Sequence, residues 1–248
     1  MAGHLPETLA SPVSAGMRER LIVALDVSTA REAQSLVQRI GDAAGIYKVG
    51  LQLFTAEGPG IVRDLVGSGR RVFLDLKLHD IPNTVSHAVK AAVELGAHML
   101  TVHPSGGTAM LRAATEAAGG RLKILAVTVL TSLNDEDIQE IGVSGRVADQ
   151  VLRMAALAQN TGCQGVVTSP REALLLRKAL GEGFAIVTPG VRPAGAESHD
   201  QQRIATPAQA MANGASHIVV GRPITHAADP AAAAQAVISE MEKARIGR

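Results

Sequence analysis

The chain is predicted to fold as a (β/α)8 TIM barrel in a single domain, and three observations carry that expectation. Short segments rich in Val, Ile and Leu alternate with helical patterns at a repeat of roughly 20 to 40 residues, which implies βαβ units and a parallel sheet. Eight such units fit into the 248 residues, the number that closes a barrel. The composition is 46% hydrophobic but only 2% aromatic, without Trp, so the core is aliphatic, as for parallel strands covered by helices. An open doubly wound sheet is the structural alternative. It is weakened because no G-x-G-x-x-G pattern follows the first strand. No linker or composition shift divides the chain.

Residues 1–18 read as a flexible N-terminal tail and 19–248 as the barrel domain. The tail lacks a charged start followed by an apolar core, so it does not read as a signal peptide. Strand one is Leu21–Leu25, ending at Asp26. Thr29 and Glu32 match a capping box that opens a helix to about Ile40, and Gly41 suits its stop. Strand two, about Ile46–Val49, carries Lys48, and a helix from about Pro59 to Val66 follows. The third strand, Arg71–Leu78, leads into a helix from Pro82 to Leu95, ended by Gly96, with Pro82 tolerated in a first turn that needs no N–H there.

Strand four is His98–Val102. His103-Pro104-Ser105-Gly106-Gly107 and a helix to about Ala118 come next, then strand five, Leu122–Val127. The polar segment from Leu130 to Gly145 holds one short helix, Asp135–Ile141, and a longer helix runs from about Val147 to Asn160. After strand six, Gly165–Thr168, Ser169-Pro170-Arg171-Glu172 matches a capping box with Pro at the first helical position, and Gly181 ends that helix. Strand seven is Phe184–Val187, and the stretch from Thr188 to Arg203 is loop-like. Thr206-Pro207-Ala208-Gln209 opens another helix. Strand eight is His217–Val220, and Asp229-Pro230 opens the last helix, to about Ala244.

Composition excludes several function classes. The formal net charge is +1 and no basic block stands out, so nucleic acid is not expected as a partner. Too few aromatics are present to stack bases. A single cysteine, Cys163, rules out an intrachain disulfide and a cysteine-rich metal site. No apolar run approaches the ~18 residues that span a bilayer. A soluble, cytoplasmic protein without a membrane partner is the expectation.

The densest chemistry lies in Phe73-Leu74-Asp75-Leu76-Lys77-Leu78-His79-Asp80-Ile81-Pro82-Asn83-Thr84. Alternation along the third strand puts Val72, Leu74, Leu76 and Leu78 on one face and Asp75 and Lys77 on the other, roughly 6.6 Å apart along the strand. A lone D-x-K would read as a structural ion pair, with Asp80 as a helix cap. Three charges on an otherwise apolar strand are costly to bury unless they pair or do chemistry.

In a barrel, chemistry sits at the C-terminal ends of the strands. Those ends carry Asp26, Lys48, Asp75, Lys77 and Asp80, then His103, Thr131, the segment Thr188 to Arg192, and Gly221-Arg222. A buried Lys48 needs a partner. The loops after strands seven and eight often bind phosphate, and there Gly221 permits close backbone approach while Arg222 offers a fork of donors. Arg192 and Gln201 lie in the long seventh loop. His103 reads as a hydrogen-bonded structural histidine, and alternation points His79 away from Lys77. No clustered histidine pattern suggests zinc. A magnesium site from Asp26, Asp75 and Asp80 is disfavoured by the two lysines among them, so no metal is expected.

The twelve-residue stretch resembles the signature of the orotidine 5′-phosphate decarboxylase family, with its D-x-K-x-x-D core intact. Ala24-Leu25-Asp26, Lys48-Val49-Gly50, Leu130-Thr131-Ser132, Thr188-Pro189-Gly190-Val191-Arg192 and Val220-Gly221-Arg222-Pro223-Ile224 resemble the family in its order. The similarity covers about Leu21 to Glu242.

The resemblance implies a homodimeric barrel that converts orotidine 5′-phosphate to UMP and CO2, the last step of pyrimidine synthesis, without metal or organic cofactor. By position, it makes Lys77 the proton donor and sets Asp75 against the substrate carboxylate. Asp26 and Lys48 would hold ribose hydroxyls and complete a charged network, and Thr131 would contact the pyrimidine. Arg192, Gln201, Gly221 and Arg222 would hold the phosphate. Asp80 and Thr84 would reach the partner subunit's site. Magnesium-dependent sugar-phosphate decarboxylases and synthases share the barrel and the core motif, but carry an acidic residue at the end of strand two, where this chain has Lys48. A catalytically silent phosphate-ligand binding protein is the rival from another class.

Overall fold

The computed structural model describes residues 16–193 and 205–246. Eight parallel strands close into a barrel in sequence order: β1 (Leu21–Ala24), β2 (Ile46–Gly50), β3 (Arg71–Leu78), β4 (Met99–Val102), β5 (Lys123–Val127), β6 (Gly165–Val167), β7 (Ala185–Thr188) and β8 (His217–Val220). The expected (β/α)8 architecture is therefore the one that forms. Around it lie α1 (Ala30–Ile40), α2 (Leu51–Glu57), α3 (Gly60–Gly67), α4 (Pro82–Glu94), α5 (Gly107–Ala118), α6 (Asp135–Glu140), α7 (Val147–Asn160), α8 (Ala173–Leu180), α9 (Pro207–Ala212), α10 (Arg222–Thr225) and α11 (Pro230–Ile246).

Local chemistry starts most helices where expected. Before α1, the Thr29 hydroxyl accepts the Glu32 N–H at 3.2 Å while the Glu32 carboxylate accepts the Thr29 N–H at 3.3 Å. This reciprocal cap satisfies two otherwise orphaned donors. Ala33, Leu36, Val37 and Ile40 then face inward at helical spacing. Thr206 and Gln209 cap α9 in the same way, and the Asp229 carboxylate accepts the Ala232 N–H at 3.0 Å at the start of α11.

Some expectations are corrected. Residues Ser169 and Glu172 do not form a backbone capping box. The Ser169 hydroxyl bonds the Glu172 carboxylate directly, and α8 starts only at Ala173, so Pro170 is not at its first position. The same buried hydroxyl also accepts the Arg171 N–H at 3.3 Å, one residue short of the amide that a capping box would use. A whole helix, α2, precedes α3, and Pro59 is the N-cap of α3 rather than within it. The short α10 directly after β8 is also additional. At the N-terminus, Met17 is 2% exposed within the core, so packing begins just before Arg18. The earlier part of the expected tail, residues 1–15, and Gln201 lie outside the described residues. No described helix is long and apolar enough to cross a membrane.

Two apolar layers hold the barrel. Inward-facing residues, including Ile22, Ile46, Phe73, Met99, Leu125, Val187 and Val219, fill its interior. Their strand neighbours, such as Leu21, Val23, Tyr47, Val49, Val72 and Leu74, pack outward under the helices. This is the period-two signature of a barrel wall. Gly165 has no room for a side chain, because a Cβ there would collide with the Ala185 carbonyl on β7.

The N-terminal end of the barrel is cationic. His217 on β8 has its pKa pushed down from 6.5 to about 4, first by burial and then by the positive groups Lys123, Arg20, His98 and Arg71. His98 is lowered for the same reasons, burial first, with Lys123 and Arg71 opposed weakly by Glu19. His217 is thus neutral in the fold at pH values where it is protonated when unfolded. Folding stability therefore rises with pH between about 4 and 6.5, and the penalty is full below that window and absent above it. Replacing His217 with Gln should remove the contribution. Denaturant unfolding at about pH 7 and about pH 4.5 should show the parent losing on the order of 2 kcal/mol more than His217→Gln, and equal losses would refute the assignment.

Candidate active site

The barrel register brings four charges onto one wall of its C-terminal mouth. Ala24 of β1 pairs with Lys48 of β2, and Gly50 of β2 pairs with Asp75 of β3. Two residues past Ala24, the Asp26 carboxylate accepts from Lys48 Nζ at 2.9 Å. The same ammonium lies 3.8 Å from Asp75, and Lys77 Nζ donates to both Asp75 oxygens at 2.9 Å. The result is an alternating series, Asp26, Lys48, Asp75, Lys77. Side-chain exposure is 58% at Asp26, 11% at Lys48, 15% at Asp75 and 29% at Lys77, so the middle pair is withdrawn from water and held by opposite charge.

The third strand is less regular than alternation predicts. Along β3 the step from Leu74 to Leu78 is matched on β4 only by Leu100 to Val102, so the register slips between them. This bulge carries Asp75, Leu76 and Lys77. Among the described residues Lys77 alone, glycine apart, has a positive φ, at 52°, a left-handed conformation that costs roughly 1–2 kcal/mol. The strand therefore turns Lys77 back onto Asp75 rather than presenting the two in parallel.

Facing the bulge is Thr101 of β4, fully buried. Its Oγ1 accepts the Lys77 backbone N–H at 2.9 Å and donates to Asp75 Oδ1 at 2.9 Å. Sequence reasoning passed over it. The available signal was a hydroxyl in phase with inward-facing Met99 on an otherwise apolar strand.

Two adjoining cavities meet at these charges. An inner one of about 190 Å³ is bounded by Lys48, Asp75, Lys77, Thr131 and the apolar Val127, Val129, Val167 and Val219. An outer one of about 430 Å³ is bounded by Asp26, Lys48, Arg192, Gly221 and Arg222. Lys48, Pro189 and Val219 border both. Arg192 is buried, and its Nε has no hydrogen-bond partner among the described residues. A larger cavity of about 590 Å³ beside α6 and α7 also has charged side chains of both signs, Asp135, Glu136, Arg146, Arg171 and Glu172, but they lie on helices and loops rather than on barrel strands. The chemistry, not the volume, marks the site.

Asp26, Lys48, Asp75, Lys77, Thr131, Arg192, Gly221 and Arg222 thus come together. Asp80 and Thr84 are exposed and border neither cavity, and the Asp80 carboxylate accepts the Ile81 N–H at 2.6 Å. Burial, then the charges of His79 and Lys77, lower the pKa of His103, whose side chain is bonded to the Val127 backbone. That is the structural histidine expected. The ring of His79 lies 5.9 Å from it. Among the described residues no group of three or more His, Cys, Asp or Glu is placed to hold a metal ion.

The sequence model of the "Orotidine 5'-phosphate decarboxylase / HUMPS family" matches residues 19–237. An orotidine 5'-phosphate decarboxylase of Methylobacterium sp. (strain 4-46) is 52% identical over 229 residues, covering 92% of this chain and 97% of that protein. One from Moorella thermoacetica is 51% identical over 234 residues, covering 91% and 93%. The crystal structure of the orotidine 5'-phosphate decarboxylase from Lactobacillus acidophilus superposes with a TM-score of 0.81 at 39% identity, covering 90% of this chain and 99% of that one.

The charged series leaves little room for a side chain at Gly50. A Cβ there would stand 2.8 Å from Lys48 Nζ and 3.5 Å from Asp26 Oδ1, while the backbone φ of −96° suits any residue. Gly50→Ala should keep the melting temperature within about 4 °C of the parent, equivalent to about 1 kcal/mol. A crystal structure of it should show Lys48 Nζ displaced from Asp26, and an ammonium found in place would contradict this crowding.

Proposed function

Because the chain belongs to the orotidine 5'-phosphate decarboxylase / HUMPS family, we propose that it converts orotidine 5′-phosphate to UMP and CO2 in pyrimidine biosynthesis. The observation that carries this reading is the alternating Asp26–Lys48–Asp75–Lys77 series on the wall of a small, largely apolar cavity. Lys48, at the end of β2, also separates the chain from the magnesium-dependent sugar-phosphate enzymes, which need an acidic ligand there.

Loss of CO2 from C6 leaves an electron pair in an in-plane orbital that the ring π system does not delocalise. Lys77 stabilises that charge and then delivers its proton to C6, and the resulting neutral amine regains a proton from solvent. One proton is consumed for each CO2 released. A fixed ammonium in a water-poor cavity does this with no reorganisation, which is where preorganised charge is worth most. Asp75 keeps the Lys77 ammonium in place at 2.9 Å. It also faces the carboxylate of the substrate, which the product no longer has, so its repulsion acts on the ground state alone. The reaction in this reading uses neither metal nor organic cofactor.

Thr131 meets the pyrimidine in the inner cavity, and Asp26 with Lys48 holds the ribose hydroxyls where the cavities join. Arg192, Gly221, Arg222 and, beyond the described residues, Gln201 hold the phosphate. The Nε of buried Arg192, without a partner among the described residues, supports that role, because a buried cationic donor is costly to leave unbonded. The exposed positions of Asp80 and Thr84 fit a homodimer in which they complete the partner subunit's site. The reaction takes place in the cytoplasm.

Loss of orotidine 5′-phosphate absorbance, followed with and without EDTA, tests the reading directly. EDTA-resistant conversion to UMP is expected, and activity abolished by EDTA would favour a metal-dependent relative. Lys77→Ala should fold yet lower kcat by at least about a thousandfold, and substantial residual turnover would remove Lys77 as proton donor. Arg222→Ala should weaken UMP binding by about 10- to 100-fold, the value of a charge-assisted hydrogen bond, without affecting uridine. Unchanged UMP affinity would overturn the phosphate assignment.

A further inference from the structure

We propose that Thr101 is a positioning residue for the decarboxylation, setting the Asp75–Lys77 pair in register through one hydroxyl bonded to both. The proposal rests on the decarboxylase reading of the site and extends it to a side chain that does not border either cavity.

Where β3 slips against β4, the amide of Lys77 has no ladder carbonyl to meet and is satisfied instead by Thr101 Oγ1. An amide N–H can only donate, so at that contact the hydroxyl must accept. Its single hydrogen is then directed to Asp75 Oδ1. The carboxylate can only accept while ionised, so both contacts have one allowed polarity. Thr101 itself is fully buried, so its hydroxyl is withdrawn from bulk solvent.

One side chain therefore fixes the backbone of the proton donor and the carboxylate to which its ammonium is bonded. The left-handed φ of Lys77 makes that bond consequential. A residue held in a disfavoured conformation relaxes when its partner is removed, and Lys77 Nζ would move with it. A displacement of a reacting group by about 1 Å can cost on the order of a hundredfold in rate.

Valine at this position has the shape of threonine without the hydroxyl, whereas serine keeps the hydroxyl without the methyl. Kinetics on orotidine 5′-phosphate and calorimetric binding of UMP should be measured for the parent, Thr101→Val and Thr101→Ser. For Thr101→Val, kcat should fall about 10- to 100-fold while KM and UMP affinity stay within about threefold. Thr101→Ser should stay within about threefold of the parent in kcat. An active parent with a Thr101→Val variant of near-parent kcat would overturn the proposal. So would a loss shared equally by kcat and UMP binding, or a serine variant no better than valine. If Thr101→Val does not fold, Thr101→Ala takes its place with the same expectation. Failure of both to fold would make Thr101 a purely structural residue and also overturn the proposal. An inactive parent would instead overturn the decarboxylase reading, and this inference with it.

Discussion

Two carboxylates and two ammonium groups, spaced 2.9 to 3.8 Å apart, sit in the mouth of a barrel whose interior is otherwise aliphatic. Each of the inner two charges has an opposite charge on both sides: Lys48 lies between Asp26 and Asp75, and Asp75 between Lys48 and Lys77. Removing one member would strand a desolvated neighbour, which costs far more than the net value of any single pair. The series holds together as a set, and the geometry around it follows from that requirement. Parallel register across β1, β2 and β3 places the side chains on adjacent strands. The packed interior layer of Ile22, Ile46, Phe73 and Met99 then closes off water from below.

The opposite end of the same barrel deals with charge differently. There Arg20, Arg71 and Lys123 surround His98 and His217 with positive charge, and Glu19 is a minor offset at His98. Burial first, and then this excess of positive charge, keeps the two histidines neutral. The contrast separates two uses of buried polarity. At the C-terminal mouth the charges are retained and paired. At the N-terminal end the groups that can shed charge do so. Chemistry that needs a permanently available ammonium and carboxylate is therefore confined to one face, as the fold's general division between catalytic and stabilising ends predicts.

Much of this was legible in the sequence, and the parts that were not share a cause. Strand-end residues were readable because parallel strands with helical crossovers fix which end carries loops. Thr29 with Glu32, and Thr206 with Gln209, announced their helices because capping is a local interaction. Ser169 and Glu172 show the same spacing, but their side chains bond each other ahead of a helix that starts only at Ala173. The bulge in β3 was invisible, since it is defined by the pairing of two strands distant in sequence. Alternation placed Asp75 and Lys77 on one face, but not the left-handed turn that brings them to 2.9 Å. Thr101 escaped for the same reason, because its significance depends on what lies across the slip. Asp80 and Thr84 carry a recognisable pattern but border neither cavity of the single chain, and the homodimer proposed above gives them a role only in a second subunit's site.

The division of the mouth into two cavities bears on how the proposed reaction gains its rate. In the proposed reading the phosphate lies in the outer cavity and the reacting carbon in the inner one, and the two cavities are joined through Lys48, Pro189 and Val219. Attraction for the phosphate is the same before and after CO2 leaves, so by itself it would favour substrate and product alike. It accelerates the reaction only by being used to hold the substrate carboxylate near Asp75, which resists that placement. Lys48 is suited to couple the two, since it bonds Asp26 beside the outer cavity and approaches Asp75 within the inner one. The alternating series thus serves a second purpose beyond its own stability. It passes from the binding end of the site to the reacting end without a gap, so that a ligand anchored at one end meets a charge at the other whose position is already set.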